Sequence, residues 1–245
     1  MDNLILSSIE NNVLTITLNR FHKKNALNTV MYQTLCNELQ QAKSNDDVHC
    51  VLIQGNEQCF CAGNDLADFI EHANDEELAA FSFVKAIASF NKPLVAAVAG
   101  PAVGIGTTML LHCDMVVTTS DAKYKLPFSQ LGLCPEAASS TLLPLRVGHN
   151  KAFELLVLGK LFSGQQAVEY GIANLSCEPE QLLTMAKEIA TNIALLPADA
   201  TQTSRALIKK ATQSQVLEAI ENEAVEFARL VKTDTCKNIL ASFFN

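Results

Sequence analysis

Two β-rich runs open the chain, Leu4 to Ile9 and Val13 to Leu18, and the Asn11-Asn12 pair between them suits a hairpin. From Asn28 and Thr29 the rhythm changes. Apolar residues recur at Val30, Met31, Leu35 and Leu39, which is one face of a helix with a polar cap ahead of it. Cys50 to Ile53, closed by Gly55, reads as a short buried strand, and the pattern then repeats. A polar helix is predicted around 76 to 90, a strand over Leu94 to Val98, a glycine-punctuated turn into Thr107 to His112, and another strand over Met115 to Val117. Alternating strands and helices predict an α/β layer architecture. After Pro135 the strand signal nearly vanishes, and helices are expected over 137–143, 150–158, 164–169, 180–195, 198–211, 214–232 and 235–244. The best joint is Leu196-Pro197-Ala198, which divides an α/β core (1–196) from a C-terminal helical subdomain (197–245).

Composition narrows the class. Hydrophobic residues make up 49% of the 245 and charged residues 18%, enough core and too little charge for a disordered chain. The net charge of −8 argues against a nucleic-acid or anionic-membrane partner, so an anionic ligand must find a local basic pocket. The start, Met1 to Ser8, lacks the basic region of a secretion signal, and the most apolar stretch, Pro93 to Val117, is broken by glycines, Pro101, His112 and Asp114. Eight scattered cysteines without paired spacing read as reduced thiols in a cytoplasm. The five histidines show no metal-ligand spacing, so no metal is expected.

Three segments carry candidate chemistry, and each also reads as ordinary structure. Cys59 to Leu66, CFCAGNDL, sets Ala62 and Gly63 where a ligand can approach the backbone, yet Asn64 and Asp65 would serve equally as helix caps. Ala99 to Thr108, AGPAVGIGTT, places Gly100, Gly104 and Gly106 before an apolar helix. It lacks the third glycine and the distal acid of a dinucleotide fingerprint, and the Lys-Ser/Thr of a phosphate loop. Leu126 to Ser140, LPFSQLGLCPEAASS, puts Pro135 and Glu136 where a helix commonly begins. Glu136 is then either a cap or, among Leu131, Leu133 and Ala137, a desolvated carboxylate able to act as a general base. Ser139 and Ser140 could orient it or fill the first helical turn.

Taken together, these segments resemble the crotonase superfamily of enoyl-CoA hydratases and isomerases. The likeness adds Asn19-Arg20, Lys23 to Leu27, Cys113-Asp114, Gly159-Lys160, Ala167 and Gly171-Ile172, and it runs from Leu14 to the C-terminus. The resemblance is greatest to peroxisomal-type Δ3,Δ2-enoyl-CoA isomerases. It implies a spiral of ββα units followed by C-terminal helices. It also implies an oxyanion hole made by the backbone amides of Asn64 and Ile105 for a thioester carbonyl. The two glutamates of the hydratases map to Thr108 and Phe128, whereas the single isomerase base maps to Glu136. Substrate contacts are implied at Ala26, Ala62, Gly63, Asp65, Leu66, Gly104 and Gly106, with Arg20, Lys23 and Lys24 near the coenzyme A nucleotide. No separate cofactor is implied, because coenzyme A arrives as part of the substrate, and a homotrimer or dimer of trimers is expected. A hydratase or thioester hydrolase, and an acyl-CoA-binding subunit without turnover, are the competing expectations.

Overall fold

The computed structural model describes residues 3–72 and 78–244. The hairpin forms as expected: β1 (Ile5–Glu10) and β2 (Val13–Leu18) pair antiparallel around Asn11 and Asn12, both at positive φ. After the hairpin comes α1 (Thr29–Ser44), whose N-cap Asn28 accepts from the Met31 amide. Next follow β3 (Cys50–Gln54), α2 (Leu66–Glu71) and α3 (Ala79–Ala88); positions 76 and 77 of the expected helix lie outside the described residues. Then come β4 (Leu94–Val98), β5 (Pro101–Val103), α4 (Ile105–Thr108), β6 (Met115–Thr119) and β7 (Lys123–Lys125).

The later part is mostly helical, with α5 (Ser139–Val147), α6 (His149–Leu156), α7 (Gly164–Glu169), α8 (Pro179–Ala194), α9 (Ala198–Lys210), α10 (Gln213–Leu230) and α11 (Asp234–Ala241). Two short strands escape the sequence pattern there, β8 (Phe162–Ser163) and β9 (Leu175–Cys177). At two and three residues they are too short to show an alternation.

Strands β1-β2-β3-β4-β6-β9 form one sheet, parallel from β2 onward, and β5-β7-β8 form a second. The chain lays a strand in the large sheet and then a short one in the small layer. Thus β3 leads to a bridge from Cys61 to Ala102, β4 leads to β5, and β6 leads to β7. This is the α/β spiral of ββα units that the resemblance implies. Both faces of the central strands β3 and β4 are covered, so these read as continuous apolar runs, whereas the edge strand β1 is exposed beyond Ile5. Val13, Cys50, Leu52, Val95, Ala97 and Val117 meet Leu182, Ala186, Ala190 and Ala194 of α8. The intervening Leu14, Ile16, Val51, Ile53, Ala96 and Val98 belong to the main core with α1 and α3. Pro197 separates α8 from α9, at the expected joint, but α10 then returns across α3 and α5.

Candidate active site

Site geometry starts from a short ladder between the basic loop and the first glycine turn. The Ala62 amide donates to the Lys24 carbonyl (3.0 Å), Leu27 to Gly63 (2.8 Å) and Asp65 to Leu27 (2.8 Å). Because the Gly63 carbonyl and the Asp65 amide both face Leu27, the Asn64 amide between them faces the opposite side, as alternation along an extended strand requires. Buried Asn25 pins this junction by accepting from the Arg20 amide (2.8 Å) and donating to the Phe60 carbonyl (2.9 Å).

The second glycine turn packs directly on the first. Cys61 donates to the Pro101 carbonyl and accepts from Val103, and a Cβ on Gly106 would lie 2.5 Å from the Cys61 carbonyl oxygen. Gly104 (φ +53, ψ −121) reverses the chain into α4 with a backbone that side-chain-bearing residues avoid. Ile105 is the first residue of α4, where amides have no carbonyl one turn behind them to bond.

The third segment departs from its sequence reading. Pro135 and Glu136 do not open a helix; α5 begins at Ser139, after Ala137 (φ +57) and Ala138 (φ +54), both left-handed. Two left-handed alanines break the helical path and turn the Glu136 side chain inward, where the residue is 6% exposed. Its Oε1 accepts a hydrogen bond from the Thr108 hydroxyl. Burial pushes the Glu136 carboxyl up to about 8; the Thr108 bond opposes the rise and the Glu223 charge adds to it.

Asn64, Ile105 and Glu136 line one cavity with Tyr32, Phe69, Leu78, Ala80, Phe81, Val84 and Phe227. At about 10 Å³ it has room for roughly one water, and Glu136 is the one carboxylate among its described lining residues. A much larger cleft of about 590 Å³, between the end of α3 and α9, contains none of these three residues. The smaller cavity is the candidate reactive site, because grouped polar residues and a shifted carboxyl mark such a site better than volume does. Thr108 and Phe128 are both buried and neither carries a carboxylate.

Other expected residues divide by position. Lys23 and Lys24 stand exposed at the end of the 3-10 turn Phe21–Lys23, beside the Ala62–Gly63 strand. Arg20 does not join them. Its guanidinium donates to Asp65 (2.6 Å) and to the Ala26 carbonyl (3.0 Å), leaving its side chain 13% exposed. Asp65 in turn caps α2 through the Ala67 amide, and its carboxyl is held below the usual range despite partial burial, through Arg20 and the helix amides. Both therefore brace the turn, and Leu66 begins the helix that Asp65 caps. Ser139 and Ser140 do not orient Glu136: the Ser139 hydroxyl is buried without a partner, and the Ser140 hydroxyl donates to Glu223.

Sequence reasoning missed five contributors. Tyr32 donates its hydroxyl to the Asn64 side chain, and Thr108 holds Glu136. Phe227 of α10 closes the cavity edge-to-face against Phe69 and Phe81. Glu223, one turn earlier on that helix, accepts from the Ala138 amide (2.6 Å) and the Ser140 amide (3.0 Å). His112, which burial drives down to about 4 and so keeps neutral near pH 7, donates from Nε2 to the Ala137 carbonyl (2.8 Å). Among the described residues no cluster of three or more His, Cys, Asp or Glu side chains is placed to hold a metal, and no helix is long and apolar enough to cross a membrane.

Comparison with known proteins bears on the fold and the family. Over 205 residues the chain is 35% identical to 1,2-epoxyphenylacetyl-CoA isomerase of Escherichia coli K12, covering 80% of this chain and 78% of that protein. It is 34% identical over 249 residues to rat enoyl-CoA delta isomerase 2; that match covers 98% of this chain but 63% of the rat protein, less than two thirds of its length. The solved structure of Pseudomonas aeruginosa OdaA superposes with a TM-score of 0.96 at 39% identity over the whole of both chains. Residues 8–245 match the enoyl-CoA hydratase/isomerase family. With this match over nearly the whole chain, and with the spiral fold and paired glycine turns described above, the protein belongs to the enoyl-CoA hydratase/isomerase family of the crotonase superfamily.

Proposed function

We propose that the protein moves a double bond from C3 to C2 of an acyl-CoA thioester, with Glu136 as the sole acid-base group. One observation carries this reading: Glu136 is the one carboxylate among the described residues lining the cavity shared by Asn64 and Ile105; the resemblance maps the hydratase acids to Thr108 and Phe128, which carry none. The amides of Asn64 and Ile105 would donate to the thioester oxygen. Removing one such donor in other enzymes costs about 2.7 to 4 kcal/mol of barrier. The ionised Glu136 takes the proton from C2, and the C2–H electrons delocalise as a dienolate across the C3–C4 double bond. Glu136 returns the same proton to C4, leaving the double bond between C2 and C3. The reaction is redox-neutral and consumes no water, so it asks for no cofactor beyond the coenzyme A of the substrate itself.

Lys23 and Lys24 are the groups we assign to the coenzyme A phosphates, because they stand exposed beside the turn that would receive the thioester. Exposed Leu195, Leu196, Leu207 and Ile208 around α9 support self-association, and we read the functional form as a homotrimer or a dimer of trimers. The test is to offer purified protein trans- and cis-3-enoyl-CoA, 2-enoyl-CoA and 1,2-epoxyphenylacetyl-CoA, separating isomerised, hydrated and hydrolysed products. Isomerised 2-enoyl-CoA as the main product is expected. Water addition as the main activity, or acyl-CoA binding without turnover, would overturn the reading.

A further inference from the structure

We propose that Glu223 is the positioning residue of the reactive turn, its carboxylate holding Ala138 and Ser140 so that Glu136 stays aimed into the Asn64–Ile105 cavity. The inference rests on the reading of Glu136 as the base. The turn has an intrinsic reason to move: a left-handed alanine is less favourable than a right-handed one, and here two are consecutive. Something outside the turn must hold it. The Ala137 carbonyl is held by neutral His112, and the Ala138 amide by Glu223 Oε2 at 2.6 Å. The other oxygen, Oε1, accepts from the Ser140 amide at 3.0 Å and from the Ser140 hydroxyl.

All three partners of Glu223 are donors, so the arrangement suits the ionised, acceptor-only form even though the residue is 7% exposed. Two of them are amides at the start of α5, where a negative charge is favoured. Glu223 lies four residues before Phe227 on α10, so one helical face supplies both the clamp and an apolar wall of the cavity. α10 therefore completes the site rather than only covering the core.

Among the described residues, the ionisable groups that act on Glu136 are Glu223, Tyr32 and Cys61, and burial keeps the Tyr32 hydroxyl and the Cys61 thiol protonated through neutral pH. Cys134 and Glu136 are the corresponding neighbours of Glu223, and burial likewise keeps the Cys134 thiol protonated. Burial raises the Glu223 carboxyl while its bonds from Ser140 and Ala138 oppose the rise, and its ionised form in turn raises Glu136, so position and charge can be separated by two substitutions. Glu223→Asp keeps the charge but shortens the reach. Glu223→Gln keeps the length but removes the charge and turns one acceptor into a donor.

The experiment compares wild type, Glu136→Gln, Glu223→Asp and Glu223→Gln as full chains, by 3-enoyl-CoA isomerisation across pH and by carboxyl NMR titration of Glu136. Glu223→Asp should lower kcat at least tenfold with KM within about threefold and the Glu136 titration little moved. Glu223→Gln should also move that titration to lower pH. Loss of cooperative unfolding in Glu223→Gln leaves Glu223→Asp to decide alone. The proposal is overturned if Glu223→Asp keeps kcat within twofold, or if folded Glu223→Gln leaves the Glu136 titration unmoved. An active Glu136→Gln would sink the reading of the base instead, and is thereby distinguished from a failure confined to Glu223.

Discussion

Replacing Glu136 by Gln should make the protein less active and more stable, and the gain in stability should grow with pH. The carboxyl titrates near 8 in the folded protein, against an ordinary value of 4.5. Between those values the folded state binds more protons than the unfolded state, so wild-type stability is full below about pH 4.5 and declines as pH rises through 8. Each unit of difference corresponds to about 1.4 kcal/mol, so the whole window is worth on the order of 3–5 kcal/mol for this fully enclosed group. Gln does not titrate, and its side-chain carbonyl can still accept from Thr108. Urea unfolding of both proteins at pH 5, 6, 7 and 8 should show the variant's advantage widening by about 1 kcal/mol per unit before it levels. In the same proteins isomerisation should fall by about 10² to 10⁴ in the variant. Wild-type kcat/KM should climb roughly tenfold per pH unit toward a plateau above 8, because the ionised base is the minor form below that. A stability difference that stays flat from pH 5 to 8 would mean that the carboxyl titrates normally, and the account of its desolvation would fall with it.

Three further outcomes follow from the geometry. Thr108→Val removes the hydroxyl that favours the ionised form of Glu136, so the rising limb of the pH–rate profile should move to higher pH; a shift downward or none would show that the hydroxyl does not act on the base. Gly106→Ala would drive a Cβ to 2.5 Å from the Cys61 carbonyl oxygen and separate the two turns. A loss of about 1–3 kcal/mol in stability together with a fall of at least tenfold in kcat is expected, read by urea unfolding and steady-state rates. Lys23→Ala with Lys24→Ala should raise KM for the acyl-CoA more than it lowers kcat, with the difference shrinking as salt is added; an unchanged KM at low salt would remove these cations from the nucleotide.

Where the chain repeats strand and helix with clear periodicity, the elements were legible. The glycine turns were legible as turns, because Gly104 and Gly63 take backbone conformations that other residues avoid. What could not be read was the entry to α5. Pro135 followed by an acid and two alanines has every local preference for a helix start, yet the backbone turns left-handed at both alanines under contacts from His112 and Glu223. Those contacts come from 25 and 85 residues away, and no local pattern encodes them. The pairing of Arg20 was hidden for a related reason: expected near the coenzyme A nucleotide, it donates to Asp65, 45 residues on.

The reach of Glu223 also bears on the order in which the molecule becomes competent. The loop carrying Lys23 and Lys24 and the turn through Asn64 both lie in the first third of the chain and bond to one another directly. A ribosome-bound chain can assemble that region early, since chains fold from the N-terminal end as they emerge. The Ala137–Ala138 pair has no such option, because the amide of Ala138 meets its partner only when α10 arrives. On the proposal above, an unfinished chain could build the lip that receives coenzyme A while the base still lacks its aim. Reactivity would then be switched on by the return of α10, which leaves the ribosome after the rest of the cavity lining.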